Sequence, residues 1–517
     1  MRFKISIFII LILIFFIFTG CPSVKEKVAT PTFDIPGGTY PTFQSVKITC
    51  ATEGATIYIT TDGTDPTTSS TVYDGTFVFM GNGTLKAMAA KSGYDNSDIA
   101  SATYTLNFGS FNLDIPWNRL IGGSLKDEGL DITSDSSENI YVTGRTLNSL
   151  EDSNLGTQNN NGKEDIFIVK YDYKGFPLWV RVRGGSENDG ATAIAVDSSD
   201  NVYIAGYTAS SFDGNTNNGK SDIFVMKYNS SGTWQWTKYF GGSEADEAND
   251  IVVGSDGYIY VTGYTKSSFN GQSNTGGQDL FVLKLDSSNG NPLNTIIYGT
   301  PDNECGYGIG LDSGKNIIVC GTQLNSDIYQ YADIYLVKFN PDGSLEWSIQ
   351  KEIPYAQVPY ALAIDSHDNI YITGYTEREI EGQILKGGKD IFLISYDLNN
   401  NLNWVKLIGG LEDDYANDIY FNDGYLYIVG HTKSSFNNQT NHGGYDIVIM
   451  KYDTSGNHYW SLFKGGTLDE GGYGIAVSND GKKIYAVGST KNSFNEYNNE
   501  QINNGDYDCI TIKYRLE

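Results

Sequence analysis

The sequence predicts an all-β protein: a small N-terminal β-sandwich followed by a seven-bladed β-propeller closed by a strand from its own N-terminal side. Three observations carry this. A hydrophobic segment ending in glycine, Ile140-Tyr-Val-Thr-Gly-Arg-Thr146, recurs as Val202 to Thr208, Ile259 to Thr265 and Ile370 to Thr376. Its glycines are Gly144, Gly206, Gly263, Gly321, Gly374, Gly430 and Gly488, at intervals of 62, 57, 58, 53, 56 and 58 residues, the signature of one supersecondary unit in an array. No long stretch carries the 3.6-residue period of an amphipathic helix, and each unit holds four strand-length segments between turn residues, as a propeller blade does.

The second unit shows the elements in order. Strand a is Ala191 to Asp197, strand b Val202 to Tyr207, strand c Asp222 to Tyr228 and strand d Trp234 to Phe240. Turn residues separate them: Asp197-Ser-Ser-Asp-Asn201, the Asn-rich run before Asp222, and Asn229-Ser-Ser-Gly232. The c segments begin at Asp165, Asp222, Asp279, Asp333, Asp390, Asp446 and Asp508, which counts seven blades. A d segment follows each of the first six, whereas the chain ends at Glu517 without a seventh. The missing d segment stands ahead of the first blade as Trp117-Asn-Arg-Leu-Ile-Gly-Gly123. Trp117, Trp179, Trp236, Trp404 and Trp460 each precede the first glycine of a pair by five residues. The Trp117 strand therefore completes the last blade and leaves no open sheet edge.

The first residues read as an export signal. Arg2 and Lys4 precede an apolar run from Ile7 to Phe18, too short to cross a bilayer as a helix, which needs roughly 20 residues. Phe18-Thr19-Gly20-Cys21 is similar to a bacterial lipobox, which implies acylation of Cys21 and a membrane-anchored lipoprotein at the cell surface or in the periplasm. We divide the chain into a signal peptide at 1–20, a tether at 21–29, the sandwich at 28–107 and the propeller at 114–517. Cys50, Cys305, Cys320 and Cys509 are too few for a disulfide framework. Cys305 and Cys320 flank a hairpin, where a diagonal bridge across antiparallel strands is strained, so we read them as two buried thiols. A net charge of −27, from 35 basic and 62 acidic residues, argues against a nucleic-acid footprint.

Residues 28–107 lack the repeat. Alternating strands Val46 to Cys50, Ala55 to Thr60, Thr84 to Ala89 and Ile99 to Leu106, with Gly37-Gly38, Asp62-Gly63 and Asn82-Gly83 turns, form a sandwich pattern. Pro36-Gly-Gly-Thr-Tyr40, Ile57-Tyr-Ile-Thr-Thr-Asp-Gly-Thr-Asp-Pro66, Leu85-Lys-Ala-Met-Ala89, Ser97 and Tyr104 resemble the chitobiase/β-hexosaminidase C-terminal-type domain. That resemblance implies an accessory module without catalytic residues, here a spacer beneath the array. The Gly-Gly, Tyr-Val-Thr-Gly and Asp-Ile-Phe-Val-x-Lys-Tyr signatures over about 114 to 517 resemble the seven-bladed β-propeller repeat family of bacterial surface and secreted proteins. It implies fold and export and assigns no common catalytic residue.

Two groups of residues are candidates for a site. Asp127, Asp189, Asp246, Glu304, Gln357, Asp414 and Glu470 occupy one position at the start of strand a. Six of the seven are carboxylates, and gathered at a channel mouth they would repel one another and favour a cation such as Ca²⁺. The alternative is that each caps its own d-to-a turn through backbone amides. The column Gly129, Ala191, Ala248, Gly306, Pro359, Ala416 and Gly472 is small because innermost strands crowd. The strand-c Asp and the Lys of Val-x-Lys-Tyr recur in nearly every blade and so read as scaffold, since an active site needs one asymmetric constellation. Asymmetry marks blades 4 and 5, where Asp327, Tyr329, Tyr331, Tyr355, Tyr360, Arg378 and Glu379 break the pattern and offer aromatic faces beside polar groups, suited to sugar or peptide. Loop drift is the plain alternative.

Enzymatic signals are few. His367, His431, His442 and His458 form no His-Glu-x-x-His motif, and neither a Gly-x-Ser-x-Gly elbow nor a phosphate-binding loop is present. We read the chain as a monomeric, lipid-anchored binding scaffold without a cofactor, for a polysaccharide or surface protein. The alternative is an exported carbohydrate-active enzyme, a glycosidase or lyase that uses acids on the loop face.

Overall fold

The computed structural model describes residues 25–40, 44–61, 63–73, 76–79, 83–106, 116–152, 156–324, 332–350, 357–496, 499–501, 503 and 506–515. The chain divides into two compact units, residues 1–113 and 114–517. Cys21 and the signal segment lie outside the described residues.

The first unit is a β-sandwich of a three-stranded and a five-stranded sheet. Val46, Ile48, Ile59, Leu85, Ala87, Ala102 and Tyr104 fill the space between them. Tyr104 is buried with its hydroxyl donating to the Ile35 carbonyl at 2.7 Å, and Ser97 Oγ accepts from the Ala89 amide at 2.8 Å. Two polar residues of the sequence motif thus close backbone groups that the small core would otherwise leave unpaired.

The second unit is a ring of seven four-stranded antiparallel sheets, each in the order a, b, c, d. In the second blade these strands are Asp189–Val196, Val202–Thr208, Asp222–Tyr228 and Trp234–Phe240. Strand a begins two residues earlier than its sequence pattern shows. Asp189 looks like a turn residue, yet its backbone already pairs with Thr208. The a strand of each blade packs on the a strand of the next, and that of blade 7, Glu470–Val477, packs on that of blade 1, Asp127–Ser134. The ring is closed.

Closure uses the displaced strand. Trp117–Ile121 pairs with Asp508–Arg515, Trp117 opposite Lys513, the register in which Trp179 stands opposite Lys170. Four tryptophans reach across to the following blade. Trp117 Nε1 donates to the Tyr173 carbonyl at 3.3 Å, as Trp179, Trp347 and Trp404 donate to Ser230, Leu398 and Thr454. Arg119 and Arg181 repeat one contact, donating to the Gly175 and Gly232 carbonyls. The strand-c lysines serve the same junctions, with Lys170, Lys227 and Lys513 Nζ bound to Ser230, Ser287 and Tyr173 carbonyls.

The repeated glycine of strand b has a steric cause. In every blade the pairing of a with b shifts by one residue, as between Gly129 and Asp131 opposite Gly144 and Thr143. Strand a therefore carries a β-bulge there. The bulge presses a strand-a carbonyl onto the glycine, so a Cβ on Gly144, Gly374 or Gly430 would overlap the oxygen of Glu128, Val358 or Tyr415. The other six blades shift at the same place, between residues 191/193, 248/250, 306/308, 359/361, 416/418 and 472/474.

Acids meet where blades join. The first glycine of each turn lies between the strand-c Asp of one blade and the strand-a acid of the next: Gly184 between Asp165 and Asp189, Gly241 between Asp222 and Asp246, Gly465 between Asp446 and Glu470. Side chains of both kinds are buried. Oδ1 of Asp165, Asp222, Asp279 and Asp446 has no hydrogen-bond partner among the described residues. Burial raises these carboxyls, Asp165 and Asp222 to about 6 and Glu470 to about 7. At the junction of blades 4 and 5 the strand-a acid is Gln357, the neutral isostere of a protonated glutamic acid.

Two outcomes follow for stability. Trp117→Ala removes a buried ring and the closing contact and lowers the unfolding free energy by about 3 to 5 kcal/mol in denaturant titration; a loss under 1 kcal/mol would show that another contact holds the ring. Unfolded carboxyls titrate near 4, whereas burial holds Asp165 and Asp222 protonated to about 6 and Glu470 to about 7. The native ring binds more protons across that window, so its stability declines as pH rises from 4 through 7. Asp165→Asn should raise the melting temperature at pH 8 and leave it nearly unchanged at pH 5, a contribution on the order of 1 kcal/mol. Equal shifts at both pH values would contradict a buried, protonated Asp165 at low pH.

Candidate functional site

The bulge that forces glycine in strand b also turns one additional residue of strand a toward the axis. These residues are Leu130, Thr192, Asn249, Tyr307, Tyr360, Asn417 and Tyr473, and all seven line a cavity of about 460 Å³ in the channel. The short polar ones tie blades together. Thr192 Oγ1 donates to the Ala248 carbonyl at 2.9 Å, Asn249 Nδ2 to Gly306 at 2.7 Å and Asn417 Nδ2 to Gly472 at 2.6 Å. The tyrosines instead fill the channel.

One position further along, Asp131, Asp250 and Asp418 alternate irregularly with Ala193, Gly308, Ala361 and Gly474. Each aspartate bridges two blades by accepting two backbone amides. Asp131 takes Ile132 at 2.7 Å and Ile194 at 2.8 Å, Asp250 takes Ile251 and Ile309, and Asp418 takes Ile419 and Ile475. Small neighbours make room: a Cβ on Gly474 would crowd Asp131. Desolvation raises Asp250 and Asp418 to about 7, and raises Asp131 too, with Asp418 and Asp250 adding repulsion.

Above this floor the two halves of the ring differ. On blades 4 to 7, aromatic rings run in unbroken contact. Tyr307 meets Tyr360 at 5.7 Å, Tyr360 meets Tyr375 at 5.9 Å, Tyr375 meets Tyr415 at 5.0 Å, and Tyr415 stacks on His431 at 4.8 Å. His431 then meets Tyr445 at 5.0 Å and Tyr473 at 6.2 Å. Lys389 Nζ lies 4.6 Å from the Tyr375 ring and 5.1 Å from that of Tyr415. On blades 1 and 2 an ionic cluster takes the place of the rings, outside the cavity lining. Arg145 pairs with Glu128 at 2.6 Å and Glu164 at 3.5 Å, Lys126 joins Glu128 at 2.8 Å, and Arg145 also donates to the Tyr207 hydroxyl. These ionic groups satisfy one another, while Tyr307, Tyr360, Tyr415, His431 and Tyr473 of the aromatic arc line the cavity.

His431 is neutral in this setting. Burial pushes it down to about 4. Because Asn417 Nδ2 must donate to the Gly472 carbonyl, the same amide group faces His431 Nδ1 at 3.1 Å and makes that nitrogen the acceptor. The proton therefore resides on Nε2, which has no partner among the described residues.

The residues singled out in the sequence fall differently. Tyr360 is in the cavity. Arg378 and Glu379 are exposed in the loop after strand b of blade 5, outside the cavity lining, and Asp327, Tyr329, Tyr331 and Tyr355 lie outside the described residues. The acid column does not gather at the channel mouth. Asp127, Asp189, Asp246, Glu304, Asp414 and Glu470 are buried in their own blade junctions and accept the amides of Gly123, Gly185, Gly242, Thr300, Gly410 and Gly466. Thr146, Thr208, Thr265 and Thr432 hydroxyls donate to four of them. This is turn capping. No group of three or more His, Cys, Asp or Glu fit to hold a metal occurs among the described residues. Cys305 and Cys320 are separate buried thiols, opposite Thr322 and Gly308. Sequence reasoning missed Tyr307 and Tyr473 because the bulge shifts the inward-facing position by one, and it missed Tyr415 and His431, which pair with each other in the regular ladder before the bulge. For Tyr307 and Tyr473 the signal was a column that varies directly after one that stays small.

Two family models match the chain, one in each unit. Residues 35–102 match the chitobiase/beta-hexosaminidase C-terminal domain, and residues 117–151, 178–213, 235–270 and 346–377 match the beta-propeller repeat. An uncharacterized WD repeat-containing protein of Acanthamoeba polyphaga mimivirus is 24% identical over 530 residues, covering 77% of this chain and 38% of the relative. The regulatory protein FlaEY of Caulobacter vibrioides is 25% identical over 320 residues, covering 52% of this chain and 33% of the relative. The chain thus spans little more than a third of the length of the curated relatives it matches. Among solved structures, a quinonprotein alcohol dehydrogenase-like protein of Bacteroides thetaiotaomicron matches at 12% identity and a TM-score of 0.37, over 86% of this chain and 94% of that one. The chain carries a chitobiase/beta-hexosaminidase C-terminal domain followed by an array of beta-propeller repeats.

Proposed function

We propose that this protein is a lipid-anchored, extracytoplasmic binding scaffold that holds a surface polysaccharide or protein at the aromatic side of its channel. The observation that carries the reading is the continuous run of rings from Tyr307 to Tyr473 across blades 4 to 7, of which Tyr307, Tyr360, Tyr415, His431 and Tyr473 line a cavity in an otherwise regular ring. Aromatic faces with polar groups between them supply contact area at low entropic cost. The channel carboxylates favour holding over turnover, since Asp131, Asp250 and Asp418 each accept two backbone amides that fix them as links between blades. The relatives described as WD repeat-containing and regulatory are consistent with an interaction role. Anchoring rests on the Thr19-Gly20-Cys21 sequence after an apolar run.

One experiment tests both halves. The full chain and its Cys21→Ala and Tyr415→Ala variants are expressed in a bacterial host, labelled with a palmitate analogue, fractionated, and presented to glycan and peptide arrays with product analysis. Label and membrane retention that vanish only in Cys21→Ala, and binding without cleavage that weakens at least tenfold only in Tyr415→Ala, agree with the proposal. Equal labelling of Cys21→Ala contradicts the anchor, and binding indifferent to Tyr415→Ala contradicts the site.

A further inference from the structure

The binding reading leaves open what enters the cavity, and the donors and acceptors around it narrow the choice. Three polar groups are fixed by the scaffold. Asn249 and Asn417 spend their Nδ2 groups on the Gly306 and Gly472 carbonyls, so each amide leaves Oδ1 as its acceptor for the cavity. His431 has its Nδ1 occupied by Asn417 and so offers Nε2–H, a donor in a fixed ring stacked on Tyr415. The tyrosine rings supply flat apolar surface beside these groups.

Charged occupants fit poorly. A carboxylate ligand would face Asp131, Asp250 and Asp418, which line the same cavity and already raise one another. A cation would be held by these aspartates only as far as they ionise, which their burial opposes, it would meet the His431 N–H, and the Tyr375 and Tyr415 rings that would attract it already carry Lys389. A hydroxyl both donates and accepts, so neighbouring hydroxyls on one ring answer Nε2–H and Oδ1 together. The aspartates retain lone pairs beyond the two amides each accepts and can take further hydroxyls. A cavity of about 460 Å³ lies within the range of small-ligand sites.

We propose that the cavity holds one uncharged, polyhydroxylated ring of a glycan, a neutral pyranose, laid against the tyrosines and oriented by His431, Asn249 and Asn417. The inference rests on the binding reading above and names its ligand class.

The test is titration calorimetry of the full chain with methyl glycosides of neutral hexoses, with glucuronate and glucosamine, and with a peptide library. Two variants are compared, His431→Phe, which keeps a ring and removes the donor, and His431→Gln, which restores an N–H. Neutral glycosides should bind best, His431→Phe should weaken them about tenfold with the melting temperature unchanged, and His431→Gln should recover part of that loss. If His431→Phe fails to fold, Tyr360→Leu takes its place and should likewise weaken neutral glycosides about tenfold. Preference for glucuronate or glucosamine, or unchanged affinity in the folded variant, would overturn the inference. Binding of peptides alone, still lost with Tyr415→Ala, overturns the sugar and leaves the scaffold reading standing. No binding by any glycan or peptide overturns both.

Discussion

The bulge in strand a of each blade is the constraint from which the rest of the propeller follows. An extra residue in one strand of an antiparallel pair bends that strand and leaves one side chain outside the ladder. Here it happens seven times at one level of the ring. On the outer side it drives a carbonyl into strand b and permits only glycine there. On the inner side it delivers seven side chains to one cavity, and these are free to differ because no ladder partner limits them. A single local distortion thus accounts for the most regular column of the sequence and for the least regular one.

The ring is assembled from junctions that repeat one set of contacts. Tryptophan and lysine from strands d and c reach a carbonyl of the next blade, and paired acids lie beneath the turn that joins them. Because Trp117 and Arg119 copy what Trp179 and Arg181 do, the seam between the chain's two ends is built like any other junction. The buried acids introduce a second character. They cost desolvation when charged, and Gln357 at one junction shows the same place filled by a neutral group. Inside the channel the aspartates work in another way, with backbone amides of two blades converging on each one.

Much of this was legible in the chain itself. Glycine intervals, tryptophan spacing and the displaced Trp117 strand carried blade number and closure, because sterics and junction contacts leave the same residue in every repeat. The buried lysines and strand-c aspartates were readable as scaffold for the same reason. The site was only partly legible. Tyr360 was visible as a departure in blade 5, but Tyr307 and Tyr473 were not, since counting by twos along a strand fails at a bulge, nor were Tyr415 and His431, which sit at ordinary ladder positions. The acid column misled in the opposite sense. Carboxylates at one repeated position suggest a ring around an axis, whereas Asp127 and its counterparts turn into their junctions to meet backbone amides.

The central claim is that the bulge, held open by a glycine, places the channel side chains. Gly430 is the most informative position, because its Cβ would overlap the Tyr415 carbonyl between two residues of the aromatic arc, Tyr415 and His431. The direct measurement is nuclear magnetic resonance of the His431 ring in wild type and Gly430→Ala, with the melting temperature of each. We expect the wild-type ring to show the Nε2–H tautomer with Nδ1 as acceptor, and Gly430→Ala to lose that signature together with several degrees of melting temperature. An unchanged ring signature and an unchanged melting temperature in Gly430→Ala would contradict the account.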